Sequence, residues 1–167
     1  MSVLRSVILA LLACTAPSAT CAQDWPWWRG PARDGVAPSE EWSSSGRELW
    51  RRSVGVGFVC PVVVGDRLWT AGHDAGTKLD TAFCLDAERG GTLWSASWPA
   101  RRGGYDVHPG GPLGSPAVGD GRVFFVSNEG VVRAFEAEHG TLLWTRELAR
   151  ELGSKPGEYG FGASPVL

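Results

Sequence analysis

Long apolar runs and a strong excess of charge of either sign are both missing from this sequence. Its 167 residues carry 16 basic and 18 acidic side chains, so the net charge is −2 at pH 7. That balance provides no electrostatic footprint for nucleic acid or for an anionic membrane surface. After residue 22 no segment is apolar and long enough to cross a bilayer. We therefore expect neither nucleic-acid binding nor a transmembrane segment.

The sequence also lacks the short motifs that mark common catalytic and cofactor sites. It has no Gly-x-Ser-x-Gly nucleophile elbow, no His-Glu-x-x-His zinc motif and no Cys-x-x-Cys-His haem motif. The Gly-rich stretches at 102–104 and 109–112 lack the strand-to-helix context and the Lys-Ser/Thr of a phosphate-binding loop, which favours turns. The motifs therefore predict no catalytic, cofactor-binding or metal-binding residue.

The N-terminus is typical of an export signal. Arg5 supplies a positive charge, and residues 7–13 form an apolar stretch that is too short to span a bilayer. Small residues then lead to a predicted cleavage position after Ala22, so residues 1–22 are predicted to be a signal peptide. The mature protein is expected in the periplasm or outside the cell.

An internal repeat of about 50 residues organises the rest of the chain. The segment CLDAERGGTLW at 84–94 recurs as AFEAEHGTLLW at 134–144. Each copy predicts two strands joined by a tight turn. Gly90 or Gly140 supplies that turn, because a residue without Cβ takes positive φ at no steric cost.

A second pair of matched segments precedes these. CPVVVGDRLWTAG at 60–72 aligns with SPAVGDGRVFFVS at 115–127, each with Pro at a strand start and a Gly/Asp turn before a second apolar strand. Four strands in a repeat of this length are typical of a β-propeller blade. We therefore predict an all-β chain with blades at 58–98 and 114–148 and the start of another at 162–167.

The repeats resemble those of pyrroloquinoline-quinone (PQQ)-like propellers. The segment 84–94 is similar to that family's tryptophan-docking motif, A-x-D-x-x-T-G-x-x-x-W, and 115–124 is similar to its strand pair S-P-x-V-x-D-G-x-V-Y. The opening DWPWWRGP at 24–31 resembles the start of secreted bacterial members, often of planctomycete type. The motif Thr is replaced by Arg89 and His139, and the motif Asp is replaced by Glu136 in the second copy. These changes weaken the hydrogen bonds of the two turns without affecting the fold.

Because each motif Trp of that family is wedged between adjacent blades, the resemblance implies structural docking roles for Trp50, Trp94 and Trp144, with turns formed by Asp86, Glu136, Gly90 and Gly140. Trp50 lies on a predicted strand, 47–54, which is lent to the last blade and so removes a free sheet edge. The resemblance thus implies part of a propeller from 47 to 167, about two blades plus pieces of two more, as the N-terminal fragment of a longer protein.

Two features leave alternatives open. Cys14 follows a Leu-Leu-Ala run that resembles a lipoprotein box, although the short apolar stretch favours simple secretion over a lipid anchor. Cys60 and Cys84 remain in the exported chain, where a disulfide is permitted. Their placement on non-adjacent strands of one blade favours two buried free thiols.

Residues 23–46 are rich in Trp, Pro, Gly and Ser and predict a strap that lies against the propeller. Its Trp25, Trp27 and Trp28 suit either stacking on a sugar or covering an apolar blade face, and area burial favours the second.

Polar residues at predicted loops are the candidates for facing a ligand, because propeller ligands usually bind where loops cluster on one face. They are His73, Asp74, Tyr105, Asp106 and His108. The first two follow the second strand of blade one, and the others lie in the 99–113 connector. A metal or acid/base site would require the two loops to meet. No spacing matches a known ligand signature, which favours solvated polar residues.

The preferred function is a non-catalytic exported scaffold that holds an unknown protein or small-molecule ligand. The resemblance extends to the propeller subunit of the outer-membrane β-barrel assembly machinery at the level of blades. The alternative is a fragment of a quinoprotein oxidoreductase that uses PQQ and calcium on alcohols or sugars. Such enzymes use vicinal cysteines, a cofactor-stacking Trp, calcium-binding carboxylates and a catalytic Asp, and no residue here matches those motifs. Uncovered blade flanks predict that the isolated chain self-associates.

Overall fold

The structure, a computed structural model, describes residues 24–37, 46–100 and 110–167. Several features predicted from the sequence lie outside the described residues: the signal peptide, Cys14, part of the strap, and Tyr105, Asp106 and His108. None of the helices in the described ranges has the length and apolar character needed to cross a membrane.

Two four-stranded antiparallel sheets make up the described chain, and in each sheet the strands follow one another in chain order. Blade one consists of β1 (Val62–Val64), β2 (Arg67–Asp74), β3 (Leu79–Asp86) and β4 (Thr92–Pro99). Blade two consists of β5 (Ala117–Gly119), β6 (Arg122–Val126), β7 (Val131–Glu136) and β8 (Leu142–Glu147). One helical turn, α1 (Leu148–Leu152), follows β8. The all-β prediction is confirmed.

The two blades have the same internal irregularity, as expected of a repeat. The register between the third and fourth strands shifts between Cys84 and Leu85 in blade one and between Ala134 and Phe135 in blade two. Each shift lies beside the tight turn whose glycine has positive φ, +69° at Gly90 and +74° at Gly140. A bulge at the same place in both sheets bends the outer strand in the same way.

The hydrophobic core lies between the blades. Alternate residues of a strand point to the same face of a sheet, so Ala82 and Cys84 of β3 share one face and are fully buried. Blade two contributes Phe135 to the same core, with its ring centroid 5.8 Å from Trp94 and 6.1 Å from Trp98. Burial of each such side chain contributes on the order of 2 kcal/mol, so the interface stabilises both blades together.

The strap crosses the inner strands of both blades. Trp25 exchanges backbone hydrogen bonds with Val63 of β1 (2.7 and 3.0 Å), and the carbonyl of Pro26 accepts the N–H of Val118 in β5 at 2.8 Å. The inner strands β1 and β5 are themselves in contact. The strap therefore ties the two blades together at the centre of the fold.

The segment predicted as a lent strand, 47–54, forms no ladder with any described strand. A strand is defined by its pairing, and the nearest backbone pairing is an isolated bridge between Val56 and His73. That bridge places the 54–57 connector over the end of β2.

Candidate functional site

The joint between the blades is built around Trp94 at the outer strand of blade one. Its indole N–H donates to the carbonyl of Ala137 at 2.9 Å, in the β7–β8 turn of blade two. Its ring covers Gly140, where a Cβ would lie 2.5 Å from the ring. The side chain is only 8% exposed. Trp94 therefore docks blade one onto the turn of blade two.

Trp50 makes the same contacts one repeat earlier. Its indole N–H donates to the carbonyl of Ala87 at 3.0 Å, and a Cβ on Gly90 would lie 2.5 Å from its ring. Trp144, the third predicted docking residue, is 41% exposed and its ring lies 5.8 Å from Phe124. Two of the three predicted docking residues thus have a turn beneath them in the described chain.

The two docking turns share their backbone hydrogen bonds, and a carboxylate adds further bonds in blade one. In blade one the carboxylate of Asp86 accepts the backbone N–H groups of Glu88 (3.0 Å) and Arg89 (2.7 Å). In blade two Glu136 occupies the position of Asp86. Equivalent backbone bonds close both turns, because Gly90 and Gly140 donate to the carbonyls of Asp86 and Glu136, whose own N–H groups donate to the carbonyls of Gly91 and Thr141.

A ladder of serine hydroxyls connects the starts of successive inner strands. The N–H of Cys60 donates to Ser115 Oγ at 3.1 Å, and the N–H of Ser115 donates to Ser164 Oγ at 3.0 Å. The three residues occupy the same repeat position. The serine hydroxyl of each repeat therefore accepts a backbone N–H from the preceding repeat.

His73 and Asp74 were predicted to follow the second strand of blade one, and this placement is wrong. Both lie within β2. His73 is 1% exposed and its Nδ1 lies 2.8 Å from the carboxylate of Asp80 on β3, directly across the sheet. Asp74 is exposed, and its carboxylate binds the N–H groups of Gly76 and Thr77 in the β2–β3 turn. The strand continues further than the sequence suggests because Val56 pairs with His73 from the other side.

The His73–Asp80 pair lies in the interface between the blades. Burial raises the pKa of Asp80, an effect that the hydrogen bond to His73 opposes. Arg133 of blade two lies over the Trp98 ring at 4.3 Å, and burial lowers its pKa while the charge of Asp80 acts in the opposite direction. Within the described residues His73 Nε2 and the second oxygen of Asp80 are buried without a hydrogen-bond partner. The side chains of His73 and Asp80 are therefore both buried in the interface between the blades.

Replacing Asp80 by asparagine tests this burial. Folding raises the pKa of Asp80. The protonated carboxyl therefore contributes fully to the stability of the folded state below the ordinary carboxyl pKa, and this contribution is lost as the pH rises through the folded pKa. Asp80→Asn keeps an oxygen that can accept from His73 Nδ1 but carries no charge, so its stability relative to wild type should be more favourable at pH 7 than at pH 4. Urea denaturation at the two pH values should show this difference.

Asp74→Asn is the matched control for that experiment. The backbone N–H groups of Thr77 and Gly76 lower the pKa of Asp74, so its contribution is present at neutral pH and lost as the pH falls through the folded value. The two variants should therefore show opposite pH trends relative to wild type. Parallel trends would contradict the assigned environment of Asp80.

A cavity of about 630 Å³ opens between the strap and the β1–β2, β5–β6 and β7–β8 turns. Carboxylates dominate its charged lining, which comprises Asp24, Asp66, Asp120, Glu136 and Glu138. The one guanidinium in that lining, Arg67, donates to the carbonyl of Glu138 at 3.1 Å and lies 3.8 Å from the carboxylate of Asp66. The lining is far more acidic than the chain as a whole, with its net charge of −2.

Two of these carboxylates could hold a metal ion together with His139, which lies beyond the cavity lining. The donor atoms of Glu136, Glu138 and His139 lie within 4.8 Å of one another. All three belong to the β7–β8 strand and turn that receives Trp94, so the docking contact fixes their backbone. Exposed acidic groups of this kind are common without an ion.

The cysteine prediction is half correct. Both described cysteines are free, and Cys84 is buried in β3, where burial raises the pKa of its thiol. Cys60 is exposed, which contradicts the prediction of two buried thiols. It precedes β1 in a connector, at the position where the later repeats have the serines of the hydroxyl ladder.

Sequence reasoning missed Asp80, Arg133 and the ladder serines. The sequence could have indicated Asp80. It is two residues before Ala82 and four before Cys84 on the same strand, so all three side chains lie on one face, and that face is buried. The serine ladder also has a sequence pattern: Cys60, Ser115 and Ser164 each precede a proline at the start of an inner strand.

Comparison with known proteins identifies the blades. A family model described as outer membrane protein assembly factor BamB matches residues 39–157. A solved structure of quinohemoprotein alcohol dehydrogenase from Comamonas testosteroni aligns with a TM-score of 0.61 at 17% identity, over 89% of this chain and 22% of that chain. At this identity the likeness shows the fold alone, that of PQQ-like β-propeller blades. A search of curated proteins found no match.

Two further structures align less closely. BamB from Moraxella catarrhalis gives a TM-score of 0.43 at 22% identity over 59% of this chain and 26% of that one. A europium-containing methanol dehydrogenase gives 0.49 at 20% identity over 60% and 18%. The chain spans about a fifth to a quarter of the length of these three structures.

Proposed function

The chain belongs to the PQQ-like repeat family described as outer membrane protein assembly factor BamB, and from that premise we propose that it is an exported, non-catalytic binding module that holds a protein partner. The observation that carries this proposal is the acidic cavity between the strap and the blade turns. Its lining has five carboxylates and one guanidinium that is already bonded to protein oxygens. Such a surface favours a partner segment rich in Lys or Arg.

Hydrogen bonds between the cavity walls support a binding role. Glu138 lies in the turn that receives Trp94, and its carbonyl accepts Arg67 from blade one. The carboxylate of Asp24 accepts the N–H of Gly65 at 2.8 Å, which joins the strap to the β1–β2 turn. Because these contacts form within the chain, a partner would meet carboxylates that are already in place, and a preorganised surface loses less entropy on binding.

The groups most suited to acid/base chemistry support structure instead. His73 and Asp80 are buried in the joint, where the 54–57 connector pairs with the backbone of His73. The quinoprotein alternative would need PQQ, calcium and a vicinal cysteine pair. The two described cysteines lie apart, Cys60 exposed before β1 and Cys84 buried in β3. The described residues therefore provide no vicinal cysteine pair for that cofactor.

A lysine heptapeptide tests the binding role of the cavity. Calorimetric titration of the full chain should show binding that weakens steeply as salt rises, because screening shortens the reach of exposed charges. Glu138→Gln combined with Asp120→Asn should reduce the affinity at least threefold.

Glu88→Gln is the matched control, since Glu88 is exposed on the blade-one turn and does not line the cavity. It should leave the affinity unchanged. If the peptide does not bind, or if the control variant weakens binding as much as the cavity variant, the cavity is not the binding surface and the proposal fails.

We further propose export with cleavage after Ala22, on the strength of the N-terminal sequence pattern and of a family described by an outer-membrane assembly factor. The mass of the protein recovered from the cell envelope decides this, because retention of residues 1–22 would contradict it.

A further inference from the structure

A second, smaller cavity lies on the strap and differs in chemistry from the acidic one. It has a volume of about 220 Å³ and is lined by Trp27, Trp28, Arg29 and Arg33 on one side and by the segment 164–166 on the other. Pockets for drug-sized ligands are usually larger than this. The strap pocket therefore suits a ligand about the size of a single ring.

Both arginines keep hydrogen-bond donors available. Arg29 Nη2 donates to the carbonyl of Asp34 at 3.0 Å, and Arg33 Nη2 donates to the main-chain oxygen of Leu167. Among the described residues no Asp or Glu carboxylate lies at ion-pair distance from either guanidinium. A guanidinium has five N–H donors in a fork that matches a carboxylate or a phosphate. Two such forks at one pocket favour an oxyanion.

The aromatic rings add a second requirement. The guanidinium carbon of Arg29 lies 5.7 Å from the centre of the Trp28 ring, and that of Arg33 lies 5.2 Å from the Trp27 ring. Trp28 is 55% exposed, although large aromatic side chains usually stabilise a fold by burial. The exposed indole face can stack on the uncharged face of a ring, while the neighbouring guanidinium binds a negatively charged substituent of that ring.

The backbone holds both arginines in an uncommon conformation. Arg29 has φ +68° and Arg33 has φ +60°, a region that residues with a Cβ rarely adopt. Successive turns impose it, with Gly30 N–H bonded to the carbonyl of Trp27 and Gly35 N–H bonded to that of Arg29. Strained residues persist only where the surrounding structure determines them, and they cluster at ligand sites.

We propose that the strap pocket binds an anionic sugar, that is, a sugar ring bearing a carboxylate or a phosphate. The guanidiniums of Arg29 and Arg33 bind the oxyanion, and the exposed face of Trp28 stacks on the ring. The hydroxyl of Ser164 accepts the N–H of Ser115 and retains its own proton to donate to a ring oxygen.

Calorimetric titration of the full chain with glucuronate, glucose 6-phosphate, glucose and inorganic phosphate tests this assignment. At least one of the two anionic sugars should bind, and glucose and inorganic phosphate should bind at least tenfold more weakly. The comparison of glucuronate with glucose 6-phosphate identifies which oxyanion the pocket takes. Arg33→Gln and Arg29→Gln should each weaken binding of the anionic sugar at least tenfold while leaving the melting temperature close to that of wild type.

Arg150→Gln supplies the matched control, because it removes the same charge from α1, where Arg150 is exposed and lies 3.6 Å from Glu147. It should leave the affinity unchanged. Equal binding of glucose would mean that the ring alone is recognised, and equal binding of inorganic phosphate would mean a bare oxyanion site. Either result overturns the proposal, as does no binding by both anionic sugars or wild-type affinity in both strap variants.

Discussion

Replacing Trp94 by alanine is expected to lower the free energy of unfolding by about 3–5 kcal/mol, the range for removing a buried aromatic side chain. The ring is 8% exposed and packs against Phe135 and the Gly140 turn. The substitution also leaves the carbonyl of Ala137 without its indole donor. Urea denaturation should show a lower midpoint at an unchanged slope, which identifies a loss of stability rather than a change in the denatured state.

Trp144→Ala is the control at the same motif position. Trp144 is 41% exposed, with Phe124 as its ring neighbour. Its removal should cost about 1 kcal/mol or less, as substitutions at exposed positions usually do. If the two substitutions destabilise equally, the docking of Trp94 is not what holds the blades together.

Replacing Gly140 by alanine is expected to lower the free energy of unfolding by about 2–4 kcal/mol, through two separate effects. The first is backbone strain, because Gly140 has φ +74°. The second is steric, because a Cβ there would lie 2.5 Å from the Trp94 ring, and a ring packed against Phe135 has little room to move.

Gly121→Ala separates the two effects. Gly121 has φ +69° and lies in the β5–β6 turn, but nothing lies within 4 Å of where its Cβ would be. It therefore carries the backbone strain alone, about 1–2 kcal/mol. The difference between the two variants measures the clash with Trp94. Equal losses of stability would show that the Gly140 turn does not contact the ring.

The sequence predicted the repeat architecture well because the determinants of a blade are local. The tight turns require glycine at Gly90 and Gly140, and both adopt positive φ. The strands between them alternate or run apolar over a few residues. The motif tryptophans were placed through the family resemblance, and Trp50 and Trp94 contact turns in equivalent ways.

The candidate sites were less predictable because they depend on contacts between distant residues. His73 was placed after the strand because the matched segment that contains the second strand of blade one, 60–72, ends just before it. The strand extends through both because a connector pairs with His73 and because Asp80 neutralises the cost of burying the imidazole N–H. Neither partner can be identified from the residues adjacent to His73.

The contacts of the strap were also only partly predictable from the sequence. Trp25, Trp27 and Trp28 were predicted to cover an apolar face, and Trp25 does pair with β1. Trp28 instead remains exposed beside Arg29. The difference arises from the positive φ of Arg29 and Arg33, which no propensity of arginine predicts. The acidic cavity likewise draws its carboxylates from the strap and from turns of both blades, far apart in the sequence.

A double-mutant cycle between Trp94 and Gly140 tests most directly whether the tryptophan of one blade docks on the glycine turn of the next. The walls of the acidic cavity depend on this contact, since Glu138 lies in the same turn. We predict that Gly140→Ala costs at least 1 kcal/mol less in the Trp94→Ala background than in wild type, because the ring it would strike is gone. Losses that add to within about 0.5 kcal/mol would contradict the docking and the arrangement of the blades that follows from it.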